Sequence, residues 1–337
     1  MKVKLSEVSS GFTKNIAQKD LDNNNGCYPI YGASGYIKNI NFYISDKPYI
    51  GIVKDGSGVG RVNIYPAYSS LLGTMQYVVP NDNMDIAYLM YALRYMKLGS
   101  LYSGAAIPHI YYKNYQRNEL NYREKNEQKS ISTQLTQIEN AILVCNAKII
   151  ALDELVKSRF IEMFGDPQNN NKQFPTKKLI DVVTLQRGHD LPVQNRDSHG
   201  SVPVYGSNGV LGFHTIAKCD RGIITGRSGT IGEVYVSEEP FWPLNTTLYS
   251  NNTHGNNLIY LKYLLMFFNL KRFKSGAGVP TLNRNEFHGK EIMDVPIELQ
   301  NDFADFVKLI DKSKFIVQKQ IDDLQELLDS KMDEYFG

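Results

Sequence analysis

The sequence predicts an α+β chain built as a pseudo-twofold internal repeat: two similar mixed α/β domains separated by two long helices that pair as an antiparallel coiled coil. Three observations carry this. First, phrases of the chain recur. Tyr28-Pro29-Ile30-Tyr31-Gly32-Ala33-Ser34-Gly35 returns as Val202-Pro203-Val204-Tyr205-Gly206-Ser207-Asn208-Gly209, and Ser103-Gly104-Ala105-Ala106-Ile107-Pro108 as Ser275-Gly276-Ala277-Gly278-Val279-Pro280. Asp55-Gly56-Ser57-Gly58-Val59-Gly60-Arg61-Val62 returns, with one insertion, between Gly226 and Val234, and Glu162-Met163-Phe164-Gly165 as Glu334-Tyr335-Phe336-Gly337, all at offsets of 171–174 residues. An offset this long implies two copies of one domain, not a solenoid of short units. Second, two stretches carry matched heptad stripes. Third, charge alternates: residues 1–125, 126–166, 167–297 and 298–337 carry +5, −2, +4 and −5.

Taken in order, residues 1–125 form the first domain. Tyr49-Ile50-Gly51-Ile52-Val53 and Arg61-Val62-Asn63-Ile64-Tyr65 read as strands around a Gly-rich turn, and Ile86–Leu93 as a short buried helix. Residues 126–166 form the first spacer. There Ile131, Leu135, Ile138, Ile142, Cys145, Ile149, Leu152 and Val156 recur at alternating spacings of 4 and 3, the seam of a coiled coil. As one helix, residues 127–164 would be ~57 Å long, and Gly165-Asp166-Pro167 stops it. Residues 167–297 repeat the first domain, with strands at Gly222–Thr225 and Glu233–Val236 and a helix at Leu258–Leu265. Residues 298–337 form the second spacer, whose seam of Phe303, Val307, Ile310, Lys314, Val317, Ile321, Leu324 and Leu328 follows the first at a constant offset of 172. Lys314 stands where the first seam has Ile142. A charge there either fixes register or partner or packs its stem and sends its ammonium to water.

Composition bounds the function. At 337 residues with 42% hydrophobic and 21% charged content, the chain is an ordinary globular protein large enough for two cores. Cys27, Cys145 and Cys219 show no CxxC pairing, which argues against a disulfide framework or zinc site. The start lacks a signal-peptide run, and no stretch approaches the 18 or more consecutive apolar residues of a membrane span. The expected location is cytoplasmic, with no membrane partner. Two basic domains suit a polyanion such as nucleic acid.

Gly56-Ser57-Gly58-Val59-Gly60 suggests a phosphate loop, but such a loop must open a helix. Strand-like residues follow it in both copies, so a tight hairpin is expected, with Ser57, Arg61 and Arg227 available to a DNA backbone. The six histidines show no metal-ligand spacing. Neither an FxGxG cofactor loop nor an (N/D)PP(Y/F) tetrapeptide is present, and no nuclease constellation of paired carboxylates and lysine stands out. No catalysis, cofactor or metal is expected of this chain.

The order of basic domain, long helix, basic domain, long helix resembles the specificity subunit of type I restriction-modification systems. The resemblance covers the whole chain. It rests on the Tyr-Gly-x-x-Gly stretches at Tyr31 and Tyr205, the Ser-Gly-Ala-x-x-Pro stretches at Ser103 and Ser275, the lead Pro296-Ile297-Glu298-Leu299-Gln300, and the helix ends Arg159-Phe160 and Phe164-Gly165. The first half departs from it, with Lys125-Asn126-Glu127-Gln128 and no proline before its helix. The resemblance implies two target recognition domains that read a bipartite site on double-stranded DNA. It implies two methyltransferase and two restriction subunits as partners, which would use S-adenosylmethionine, ATP and Mg. A specificity component of a type II system and a coiled-coil interaction protein without a DNA role stay open as alternatives.

The doubling sorts the candidate residues. Positions shared by both copies (Gly32/Gly206, Gly58/Gly229, Gly104/Gly276, Pro108/Pro280) are expected to hold the fold or the DNA backbone. Positions that differ are expected to read bases: Tyr36, Lys38, Ser69 and Ser70 in the first copy, and Asn208, Arg227, Thr230, Asn245 and Thr246 in the second. Asn and Arg suit adenine and guanine edges. Lys97, Lys113, Arg117, Lys271, Arg272 and Lys274 are candidate phosphate contacts, which position without specifying.

Overall fold

The computed structural model describes residues 1–102, 108–197, 199–276, 278 and 280–337. Parts of both Ser-Gly-Ala-x-x-Pro stretches, among them Ser103, Gly104, Ala277 and Val279, lie outside the described residues. The chain divides into two compact units: Met1–Asn146 with Lys319–Gly337, and Ala147–Gln318.

Each unit contains the same two sheets. In the first, Ser9–Phe12, Met75–Pro80, Tyr49–Val53 and Val62–Tyr65 form a four-stranded antiparallel sheet in that spatial order. In the second, Thr184–Arg187, Thr247–Asn252, Gly222–Gly226 and Val234–Ser237 do the same. A three-stranded sheet accompanies each. It is a hairpin, Tyr28–Gly32 with Gly35–Ile40 or Val202–Gly206 with Gly209–His214, joined by a short parallel strand, Ser70–Leu71 or Trp242–Pro243. Both hairpins shift register at the same place, between Ile30 and Tyr31 and between Val204 and Tyr205. Such bulges bend a strand without breaking its pairing.

The Gly-rich stretches are hairpin turns. Gly60 has φ +85°, and a Cβ on it would lie 2.1 Å from the Gly99 nitrogen, so only glycine fits. The hydrogen bonds also correct the pairing of glycines read from sequence. Gly56 N–H donates to Pro108 O at 3.0 Å, as Gly229 N–H does to Pro280 O at 3.1 Å. Gly229 therefore corresponds to Gly56, not Gly58, because the extra residue lies in the first copy's turn.

Both long helices run unbroken over 40 residues, Lys125–Phe164 and Ile297–Phe336. Every described seam position named above is buried or half-buried. Within the second unit the helices run antiparallel: Phe160 and Phe164 meet Phe303 edge-on at 5.4 and 5.5 Å, and Lys314 Nζ donates to Asp153 Oδ1 at 2.6 Å. The seam lysine thus has a carboxylate on the facing helix. Within the first unit the segments are antiparallel as well. Leu328, Met332, Tyr335 and Phe336 pack on the core that holds Ile131, Leu135 and Tyr88, and Tyr335 Oη donates to Gln134 Oε1 at 2.9 Å.

Each helix is tied to its domain by one buried glutamine. Gln128 accepts from the Asp85 N–H at 2.7 Å and donates to Asn83 O and Arg123 O at 3.2 and 2.8 Å. Gln300 accepts from the Asn257 N–H at 2.9 Å and donates to Asn256 Oδ1 and Val295 O at 2.7 and 2.8 Å. Asp85 and Asn257 in turn cap the short helices Ile86–Tyr95 and Leu258–Phe267.

The first long helix also corrects one expectation. By length and composition alone it is apolar enough to cross a membrane. A count of consecutive apolar residues misses this, since the apolar residues lie on two faces. One is the seam. The other exposes Leu143, Val144, Ile150, Leu155 and Ile161. The second helix exposes Leu309, Phe315 and Ile316.

Replacing Gln300 with Leu leaves the Asn257 N–H and two acceptors without their partner in a partly buried site. Each buried group left unpaired costs about 1–3 kcal/mol. Gln300→Leu should destabilise the protein by roughly 2–4 kcal/mol, read by denaturant melts; a loss below about 0.5 kcal/mol would contradict the clamp's role.

Candidate nucleic-acid interface

The turn of each four-stranded sheet meets the segment that follows the shared proline, and the meeting is built identically in both units. The N–H groups of Lys54 and Arg227 donate to the carbonyls of Thr74 and Thr246 at 3.0 and 2.8 Å, and their own carbonyls accept from Ile110 and Leu282 at 2.9 and 2.7 Å. Asp55 bridges His109 as Ser228 bridges Thr281. Lys54 and Arg227 are therefore equivalent, as are Asp55 and Ser228, Tyr112 and Arg284, and, from the strand registers, Thr13 and Arg187.

The equivalent clefts differ in chemistry. In the second unit a cleft of about 470 Å³ is lined by Arg187, Arg227 and Arg284, with Ser275, Asn283 and Asn285 and no carboxylate. Arg227 Nη1 donates to Asn245 O at 3.4 Å, and Arg284 Nη1 to Leu185 O at 3.3 Å. Among the described residues none of the three arginines forms an ion pair. In the first unit a cleft of about 290 Å³ is walled by Phe12, Thr13, Gln76, Tyr111, Tyr112 and Lys113. Its neighbouring cation, Lys54, is buried, pairs with Asp55 at 2.5 Å and lies 5.5 Å from the Tyr111 ring centre. Tyr112 Oη donates to Ser9 O at 2.8 Å.

The remaining candidates fall in several places. Ser57, Arg61, Lys97, Arg117, Asn208, Thr230 and Lys274 are exposed. Exposed Lys113 sits 5.7 Å from the Tyr111 ring centre. Exposed Tyr36 donates to Asn39 at 3.2 Å. Lys38 is turned inward to Leu21 O and Asn25 Oδ1 at 2.9 and 3.0 Å. Lys271 pairs with Glu233 at 3.7 Å, and Arg272 stacks on Phe268 and Phe273 while donating to Gln168. Asn245 donates to Asp190, and Thr246 lies half-buried beside it.

Ser69 and Ser70 are corrected outright. Both are fully buried, and Ser69 Oγ donates to Pro66 O at 2.6 Å and bonds Tyr49 Oη at 2.8 Å. Both lie in the interior at the short parallel strand, away from the surface a DNA contact needs. Sequence reasoning missed Arg187 and Arg284, because only the fold brings them beside Arg227. The one available signal was position: Arg284 stands four residues after the shared Pro280.

His288, on the turn of helix Asn285–His288 beside the second cleft, accepts the Leu185 N–H through Nε2 at 3.2 Å. Burial, then the Arg284 charge, holds its pKa below the ordinary 6.5. The unfolded imidazole protonates near pH 6.5 while the folded one resists, so stability falls as pH drops below 6.5 toward the lower folded value. Melting temperature should decline from about pH 7 to about pH 5.5, and His288→Gln, which cannot titrate, should flatten that decline. An equally steep decline in the variant would reject the assignment.

Comparison with known proteins gives a consistent result. The family described as "Type I restriction modification DNA specificity domain" matches residues 1–154 and again 171–326. The crystal structure of a type I restriction-modification S subunit from M. genitalium resembles the chain with a TM-score of 0.66 at 18% identity, covering 100% of this chain and 96% of that one. A chain from a structure of type I R-M complex assembly and conformational transition resembles it with a TM-score of 0.63 at 10% identity, covering 99% and 97%. At these identities the likeness shows the fold. No curated protein matches the chain in sequence.

Proposed function

This chain belongs to the type I restriction-modification DNA specificity family, and we propose that it reads a bipartite site on double-stranded DNA, one half-site per domain, and positions the catalytic subunits on it. Membership makes it a DNA-specificity subunit, a recognition component and not an enzyme. The observation that carries the bipartite reading is the doubling itself: one specificity domain occurs twice, with one scaffold and two differently furnished clefts. A duplicated reader suits half-sites on opposite strands. In this reading the long helices set the half-site separation, of the order of one DNA turn, ~34 Å. Two methyltransferase and two restriction subunits use the S-adenosylmethionine, ATP and Mg. The complex would act in the cytoplasm, where its DNA is.

The exposed apolar residues of the helices support partner docking, since apolar surface left open on a charged helix marks an interaction site. Phe315, 73% exposed, is the largest of them. Phe315→Glu should weaken co-purification of the methyltransferase subunit at least ~10-fold, the equivalent of about 1.4 kcal/mol, without lowering the chain's own melting temperature. Unchanged association would remove this face from the interface.

The decisive test is single-molecule methylome sequencing of cells expressing the chain with its methyltransferase. The expected result is a two-part motif with adenine methylated on each strand. An undivided motif, or no mark from a methyltransferase shown to be active, would reject the reading.

A further inference from the structure

We propose that the arginine cleft of the second unit is a guanine-reading subsite, and that its counterpart in the first unit is not. The inference rests on the DNA-specificity reading above and goes beyond it by assigning a base to named residues.

Three features support it. The first is charge without compensation. Arg187, Arg227 and Arg284 enter one cleft of about 470 Å³ from three separate segments; among the described residues that line it there is no carboxylate, and the neighbouring Asp190 is bonded to Asn245 and not to an arginine. Three guanidinium groups gathered at one cleft make it a favourable place for a negative or acceptor-rich ligand. The second is preorganisation. Asn245 O and Leu185 O each accept one long bond from Nη1, of Arg227 and Arg284 respectively, which orients each planar fork while other N–H donors can be offered. Such a fork matches the paired O6 and N7 acceptors that guanine presents in the major groove, and it loses little rotamer freedom on binding.

The third is the built-in control. The same backbone contacts recur in the first unit, yet there Thr13 and Tyr112 replace two of the arginines, Lys54 in place of the third is paired with Asp55, and the one cation lining the cleft is exposed Lys113, where the second unit has Asn285. The second unit has Ser228 in the place of Asp55. A contact to phosphate alone, common to both half-sites, would be expected to use the same residue types in both units. The difference is where half-site identity belongs.

The experiment begins with the two-part motif of the wild-type complex, determined by methylome sequencing. One half-site should contain a guanine whose identity depends on the cleft. Arg227→Ala and the exposed, fold-neutral Arg187→Ala should each relax that single position about tenfold or more while leaving the other half-site unchanged. Arg227→Lys, which keeps the charge but lacks the fork, should relax it as well. Replacing that guanine by 7-deazaguanine in a synthetic duplex should weaken binding of the wild-type complex and leave binding of the Arg227→Ala complex unchanged.

A half-site pair without such a guanine, a motif unchanged in all three variants, or affinity lost uniformly across sequences with full function in Arg227→Lys would each overturn the inference. The last of these would identify phosphate contacts instead. The absence of any two-part mark in the wild type overturns the specificity reading itself, and this inference with it.

Discussion

The buried glutamines Gln128 and Gln300 are the constraint on which the rest depends. A 40-residue helix with a narrow apolar seam does not dictate how it leaves a globular domain. The amide does. With one acceptor and two donors spoken for, each glutamine fixes the first turns of a long helix against the capped end of a short one. Because both glutamine side chains are buried, each of their groups depends on the others being paired. Aromatic packing builds on that alignment. Phe160 and Phe164 close on both Tyr260 and Phe303 in the second unit, and Phe336 closes on Tyr88 in the first. The end of the second helix is thereby part of the first unit's core, although over 200 residues separate Phe336 from Tyr88 in sequence.

Much of this scaffold was legible in the sequence, for a physical reason. Heptad spacing is a property of one helix surface, so it survives without knowledge of partners, and the described seam positions are all at least half-buried. Strands around the Gly-rich turns were legible because a turn needing positive φ restricts residue choice strongly. The doubling reinforced each local signal by showing it twice. Gln128 and Gln300 were visible in the phrases that lead into the helices, but a polar residue near a helix start reads as solvent-facing until its three partners are seen.

The sites were less legible, since a cleft is a relation between distant segments. Arg227 was singled out by its difference between the copies, but Arg187 and Arg284 gave no local sign. Small polar residues misled in the other direction. Ser69 and Ser70 differ between the copies as a base reader would, yet they differ because the short parallel strand packs differently: Trp242 fills the place of Ser70. Lys38 and Arg272 are cations whose fixed hydrogen bonds or stacked rings serve the domain itself. A positive charge in the sequence is therefore a poor guide to which cations are left open to a ligand.

The same distinction explains how one scaffold can carry two specificities. The backbone bonds that join turn to post-proline segment involve no side chain, so they are indifferent to what projects from residues 54 and 227, or 112 and 284. Chemistry at those positions can change from tyrosine to arginine, and from a paired lysine to an unpaired guanidinium, without loss of a single scaffold hydrogen bond. The four-stranded sheet, the glutamine clamp and the helix seam use residues whose burial leaves them little freedom. The cleft arginines Arg187, Arg227 and Arg284 are exposed or half-buried, and substitutions at such positions are usually worth little to stability. In the proposed reading, stability and specificity fall to different atoms, which is the arrangement a reader of two unlike half-sites requires.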